Sequence, residues 1–336
     1  MAKGKLTNFK DQSLDLKLRP NIWKDYIGQE SIKKNLQIAI KAAQERNEPI
    51  EHLLFYGPAG LGKTTLAHLV ANEAKQQIRI TSGPTIERVG DLASILTNLA
   101  PGEIFFIDEV HRLNKLIEEV LYSAMETRSL NIILGKGPSA RTIQLELAPF
   151  TLIAATTRIS LLSAPLRSRF SGGTYRLNFY SLEEIEAILN RSAKILNVDI
   201  EPEAKREIAK RARATPRIAN HLLKRCRDFA QVNKKSLIDL KTTQDTFELL
   251  EIDEKGLGPT DRKLLEVLIT KFNGGPVGLN TLAAATSEEE GTIEEVYEPY
   301  LIQLGFIERT PRGRIATPHA YDHLGFKVPP QQTKLI

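Results

Sequence analysis

Apolar positions in the first half of the chain come in short runs: "HLLFYG" (52–57), "IRITSG" (78–83), "EIFFID" (103–108) and "FTLIAATT" (150–157). Each is rich in β-branched or aromatic residues and predicts a buried strand. Between them, apolar residues fall three and four apart, as over Leu66–Ala74 and Ile117–Met125, and predict helices. This alternation predicts a parallel sheet covered on both faces. One stretch departs from it. "LNIILGKGPSARTIQLEL" (130–147) alternates apolar and polar residues around a Gly-Lys-Gly-Pro turn and predicts a hairpin inserted into the α/β domain.

Past Tyr180 the pattern becomes helical. Ser181 and Glu184 form a capping box, and Ile185, Ile188, Leu189 and Leu196 share one face behind it. A second helix follows Pro202, and a third starts near Pro216 with Ile218, Leu222, Cys226 and Phe229 along one side. "EKGLGP" (254–259) reads as a linker. A helix with Leu264, Leu265, Leu268 and Phe272 comes next, then helices over 279–285 and 292–304. Two short strands in "IERTPRGRIAT" (307–317) close the unit, the layout of a winged helix. The expected architecture is α/β: a P-loop parallel-sheet domain over 1–180 with a hairpin at about 130–147, a small all-helical lid over 181–254, and a C-terminal winged-helix domain over 255–336.

Composition narrows the setting. The 336 residues are 41% hydrophobic and 26% charged, ordinary values for a globular protein. No stretch approaches the ~20 apolar residues of a membrane span, so no membrane partner is expected. The N-terminus lacks the apolar segment of a secretory signal. A single cysteine, Cys226, forms no internal disulfide and fits a reducing cytoplasm. The net charge of +5 leans towards polyanions without deciding for them.

The chemistry is carried by two motifs. "GPAGLGKT" (Gly57–Thr64) fits G-x-x-x-x-G-K-[ST] between a predicted strand and a predicted helix. Its glycines let backbone N–H groups curl around phosphates, Lys63 is expected to bridge the β- and γ-phosphates, and Thr64 to hold Mg²⁺. "FFIDEVHRL" (105–113) ends a buried strand on Asp108, expected to bind Mg²⁺ through water, and Glu109, expected to activate the attacking water. No base-reading N-K-x-D motif is present, which favours ATP over GTP. "AATTR" places Thr156 and Thr157 at the carboxyl edge of the sheet, and "SAPLRSRF" offers Arg167 and Arg169 as candidates for charge on the γ-phosphate, in trans if subunits form a ring. Arg217 in "ATPRIAN" opens a lid helix.

Taken together these strings resemble the AAA+ ATPases. The resemblance extends to the RuvB family of bacterial Holliday-junction branch-migration motors, through "LRPNIWKDYIGQ", "TSGP", "GDLASILTNL", "TPRIANHLLKRCRDFA", "DRKLLEVLITKFNGGPVGLNTLAAA" and "EPYLIQLGFIERTPRGRIAT". It implies an ATPase coupled to DNA translocation, of the helicase-like class, working as a homohexamer on double-stranded DNA at four-way junctions. Leu18, Arg19, Tyr26 and Ile27 would line the nucleotide pocket, with Tyr180 near the adenine. Gly60, Gly62, Lys63, Thr64 and Thr65 would cradle the phosphates. Thr157 matches sensor 1, Arg169 the arginine finger, Arg217 sensor 2, and Arg167 a further nucleotide-site arginine. The hairpin would dock a RuvA-type junction-binding protein through Ile143 and Leu145, and a RuvC-type resolvase would cut strands in the same complex. Arg309, Arg312 and Arg314, on the wing, would grip DNA phosphates without reading bases. Three departures from the family pattern stand out: Ala59 for proline in the P-loop, Ala154 for glycine, and an extra residue in "SGGTYR". A clamp loader and an ATP-switched replication initiator share the ATPase core. The first would end in a helical collar, and the second can dispense with Glu109.

Overall fold

The computed structural model describes residues 14–134 and 141–329. They divide between Phe179 and Tyr180 into two compact units.

The first unit is built on five parallel strands in the order β2-β3-β6-β1-β7: β1 (Leu53–Tyr56), β2 (Ile78–Ser82), β3 (Ile104–Asp108), β6 (Thr151–Thr156) and β7 (Gly173–Arg176). Helices α1 (Glu30–Arg46), α2 (Lys63–Ala74), α3 (Val89–Thr97) and α4 (Lys115–Thr127) and the short α5 (Ala164–Ser168) accompany it. All six β6 residues and the first four of β3 are buried, as interior strands covered on both faces must be. On one face Leu54, Phe105, Ile107, Leu152 and Ala154 join Leu92 and Leu96 of α3 and Leu121 of α4 in one core. This strand order puts β6 between β1 and β3, so the loops after these three strands meet at one edge.

Strand β7 was not legible in the sequence, because "GTYR" has no apolar run and its residues alternate only between half-buried and exposed. The expected hairpin is present as β4 (Ser129–Leu134) and β5 (Arg141–Glu146), antiparallel with Leu130 opposite Leu145 and Ile132 opposite Ile143. Its turn lies outside the described residues.

The second unit begins with α6 (Leu182–Leu196), α7 (Pro202–Arg211), α8 (Pro216–Val232) and α9 (Leu240–Leu249). The Ser181–Glu184 capping box forms as expected: the Glu184 N–H donates to Ser181 Oγ, and the Ser181 N–H to the Glu184 carboxylate. A two-residue parallel ladder, β8 (Asp199–Ile200) with β9 (Leu237–Ile238), adds to the helices. Beyond it lie α10 (Pro259–Thr270), α11 (Leu279–Thr286) and a helical run, α12, from Glu290–Thr292 through a π-turn at Ile293–Tyr297 into Glu298–Gln303. Strands β10 (Ile307–Thr310) and β11 (Gly313–Ala316) make the wing, and α13 (Pro318–Leu324) follows. Leu264, Leu268, Leu282, Leu301, Phe306 and Tyr321 share this part's core.

Residues 254–259, expected as a linker, are a packed joint. Leu257 is fully buried and its N–H donates to Asp253 Oδ1 at 2.8 Å. Arg213 Nε donates to the Gly256 carbonyl at 2.9 Å, and its Nη2 pairs with Asp261 of α10. Gly256 has φ +75°, and a Cβ there would strike the Arg211 carbonyl. Tyr300, under the Arg213 guanidinium, donates its hydroxyl to the Lys255 carbonyl at 2.8 Å. Polarity and a Gly-Pro pair signalled a break in the helix pattern, but not how tightly the break is held.

Candidate functional site

The loop after β1 turns on three left-handed glycines: Gly57 (φ +136°), Gly60 (φ +83°) and Gly62 (φ +98°). A Cβ on Gly57 would lie 2.6 Å from the Leu177 carbonyl, so only glycine fits this close approach. The turn delivers the chain into α2 at Lys63, whose N-terminal N–H groups remain for an anion. Lys63 is buried, and its Nζ donates to the carbonyls of Gly57 at 2.7 Å and Pro58 at 3.0 Å. Thr64 and Thr65 follow, both half-buried, and Ala59 is exposed on the loop.

Thr64 Oγ1 donates to Asp108 Oδ2 at 3.1 Å, tying the phosphate loop to the end of β3. The other oxygen, Oδ1, accepts the Glu109 N–H at 3.0 Å. One hydroxyl and one carboxylate, both hard oxygen donors, fit Mg²⁺, which fills its octahedron with substrate phosphates and water. Among the described residues no group of three or more His, Cys, Asp or Glu is placed to hold a metal.

Glu109 has φ +48°, which turns its side chain off the strand line towards β6. Its Oε2 accepts from Thr157 Oγ1 at 3.1 Å and from the Thr157 N–H at 3.4 Å, and lies 3.2 Å from His111 Nδ1. Burial alone would raise its pKa; the hydrogen bond from His111, the charge of Lys63 and the Thr157 N–H outweigh burial, and the net direction is down. Gly83, in "TSGP", faces the backbone of this turn, and a Cβ there would collide with the Glu109 carbonyl. His111 and Gly83 were both missed from sequence. A lone histidine carries no spacing signal, and a glycine that makes room for a distant backbone shows its reason only in three dimensions.

The N-terminal segment supplies Leu18 and Tyr26, both buried, with Arg19 and Ile27 half-buried. Burial and then the charge of Arg19 push the pKa of His68 on α2 down. Tyr180 and Arg217 belong to the second unit. The Tyr180 N–H donates to the Ala214 carbonyl at 3.0 Å, and Arg217 is exposed on the first turn of α8.

Ser163 caps α5, and Arg167 is exposed on that helix. Arg169, at its C-cap, pairs through Nη2 with Glu126 Oε2 at 2.6 Å. It lines a cavity of about 370 Å³ with His52, Glu126, Arg128 and Phe150. Its bond to Glu126 lies on that side of the domain. On the hairpin, Ile143 is 42% exposed, whereas Leu145 packs partly against the sheet core.

The wing arginines divide. Arg309 and Arg314 face each other across β10 and β11, and both pair with Glu298 on α12. Arg309 also reaches Glu294 at 3.4 Å. Arg312, on the turn between the strands, is exposed. In the sequence the three arginines look equivalent, and only the fold brings Glu298 to two of them.

The chain matches the RuvB P-loop domain of Holliday junction DNA helicases over residues 18–177, the RuvB AAA lid domain over 180–253, and the RuvB C-terminal winged helix domain over 254–325. It is 57% identical over 325 residues to the Holliday junction branch migration complex subunit RuvB of Chloroflexus aggregans, covering 97% of this chain and 93% of that protein. It is 56% identical over 326 residues to the subunit of the same name from Koribacter versatilis, covering 97% and 90%. The structure of the Thermotoga maritima RuvB Holliday junction branch migration motor superposes with a TM-score of 0.86 at 49% identity, covering 93% of this chain and 100% of that one.

Proposed function

This chain belongs to the RuvB family and is a Holliday-junction branch-migration motor on an AAA+ P-loop ATPase core, and from that premise we propose how its residues divide the work. The carrying observation is the convergence of Thr64, Asp108, Glu109 and Thr157 at one sheet edge, joined by hydrogen bonds of 3.0 to 3.4 Å.

In this reading the substrate is ATP. Lys63 moves from the loop carbonyls to the β- and γ-phosphates, which offer it full negative charge in place of dipoles. Thr64 and, through water, Asp108 would hold Mg²⁺, which neutralises charge on the phosphate oxygens when bound. Glu109 accepts a proton from the attacking water while Thr157 holds the carboxylate in place. Leu18, Arg19, Tyr26 and Ile27 enclose the base, and Tyr180 and Arg217 are the lid residues that respond to nucleotide. Arg169 acts on a neighbour's γ-phosphate, with Arg167 beside it. Its pairing with Glu126 supports a role in trans, which requires a head-to-tail assembly, a ring or a filament; the ring proposed is the homohexamer that the family resemblance implies.

The ring encircles double-stranded DNA at the four-way junction in the cytoplasm. A RuvA-type protein docks on the hairpin, with the exposed Ile143 as its principal apolar contact and Leu145 behind it, and a RuvC-type resolvase supplies strand cutting. Arg312 is the wing residue best placed for phosphates.

The test is ATP-driven dissociation of a synthetic four-way junction, with and without the RuvA-type partner, for wild type and Glu109→Gln. Partner-dependent dissociation in wild type alone supports the assignment, and ATP turnover without junction movement overturns it. For the finger, mixing Arg169→Ala with Lys63→Ala subunits should restore part of the activity; no recovery at any ratio would count against action in trans.

A further inference from the structure

The Glu109 carboxylate is held unevenly. Three contacts converge on Oε2: the Thr157 hydroxyl at 3.1 Å, the Thr157 N–H at 3.4 Å and His111 Nδ1 at 3.2 Å. The same Nδ1 lies 2.9 Å from Thr156 Oγ1, which accepts the Arg158 N–H at 3.0 Å. A carboxylate oxygen only accepts, so the tautomer with its proton on Nδ1 is the one that makes this 3.2 Å contact attractive. In that tautomer His111 Nδ1 is a donor set between the catalytic turn and the last residue of β6. The side chain is 6% exposed, and water competes little for this bond. A Cβ at position 83 would collide with the Glu109 carbonyl, so only glycine leaves the turn in this position.

We propose that His111 is a positioning residue for hydrolysis: its Nδ1–H, with Thr157, pins Glu109 Oε2 to the end of β6 and leaves Oε1 as the oxygen that takes the proton of the attacking water. The step balances simply. The water oxygen forms a bond to the γ-phosphorus, the bond from that phosphorus to the β-phosphate bridging oxygen breaks, and ADP leaves with the bonding pair. The proton passes to Oε1 and then to phosphate or solvent. Without His111 the carboxylate can rotate about its terminal torsion, and the oxygen facing the water is no longer fixed. The inference rests on the reading of Glu109 as the water-activating residue.

The test compares full-length wild type with His111→Ala, His111→Asn and Glu109→Gln, and with His111→Ala combined with Glu109→Gln. DNA-stimulated ATP turnover gives kcat and KM, and anisotropy of a fluorescent ATP analogue gives Kd. His111→Ala should lower kcat on the order of 10- to 100-fold, the scale of a misplaced catalytic group, with KM and Kd within about twofold of wild type. His111→Asn, whose amide nitrogen sits where Nδ1 does, should recover most of the loss. In the Glu109→Gln background His111→Ala should cost nothing further, because there is no base left to position. The proposal is overturned by a kcat for His111→Ala within twofold of wild type, by an asparagine variant no better than alanine, or by a loss of equal size in the Glu109→Gln background. Glu109→Gln turning over like wild type would instead remove the reading of Glu109 on which the proposal depends.

Discussion

Arg314 is locked onto Glu298: its Nε donates to Oε1 at 2.6 Å, and the carboxylate is 1% exposed. Arg309 binds the second oxygen of the same group. The wing is thus attached to α12 by one buried acid shared between two bases. The pKa of Arg309 is raised, first by this hydrogen bond. Replacing Arg309 and Arg314 together by alanine would leave the carboxylate buried and alone. The expected cost is about 3–5 kcal/mol, read from the denaturant midpoint of the full chain. Either single replacement should cost less than half as much, since one partner remains.

Arg312 should behave in the opposite way. It is exposed on the wing turn, so alanine there should change stability by no more than about 0.5 kcal/mol. The logarithmic salt dependence of duplex binding should flatten by about one unit of slope, the value of one lost phosphate contact. Fluorescence titrations over a range of salt concentrations decide this. An unchanged slope would remove the wing turn from the DNA interface.

Arg213 joins the lid to the winged helix through Asp261, which is 2% exposed, and the Gly256 carbonyl. Arg213→Ala leaves Asp261 Oδ2 with the hydrogen bond from the Gly258 N–H at 2.8 Å. The expected loss is about 3 kcal/mol, with unfolding of the second unit separating into two calorimetric transitions. A single transition at the wild-type temperature would show that the apolar contacts around Leu257 hold the joint without it.

Asp239 caps α9, where Oδ1 accepts the Thr242 N–H at 2.6 Å. Hydrogen bonds from the Thr242 side chain and backbone, and then from Lys235, push its carboxyl down to about 2. A carboxyl lower in the folded than in the unfolded state adds stability above its unfolded value of about 3.9 and loses it as pH falls through the folded one. Asp239→Ala should cost about 1 kcal/mol at pH 7, the ordinary value of a lost cap. The gap between variant and wild type should shrink between pH 4 and pH 2 in denaturation midpoints, and a constant gap would point to packing as its source.

What the sequence determined by itself was local. Residues Gly57 to Thr64 state their chemistry in eight consecutive positions. Asp108 and Glu109 end a recognisable apolar run, and the alternation in 130–147 marks the hairpin, because backbone conformation and side-chain period are settled over a few residues. The tertiary structure decided which groups meet. It set His111 between Glu109 and Thr156, brought Gly83 against the Glu109 carbonyl, and made β7 a strand through pairing with β1. It also divided three similar arginines into two that neutralise Glu298 and one that faces solvent. Those outcomes depend on contacts between segments far apart in the chain, where burial fixes the partner of each charge, and no period or motif in a single stretch records them.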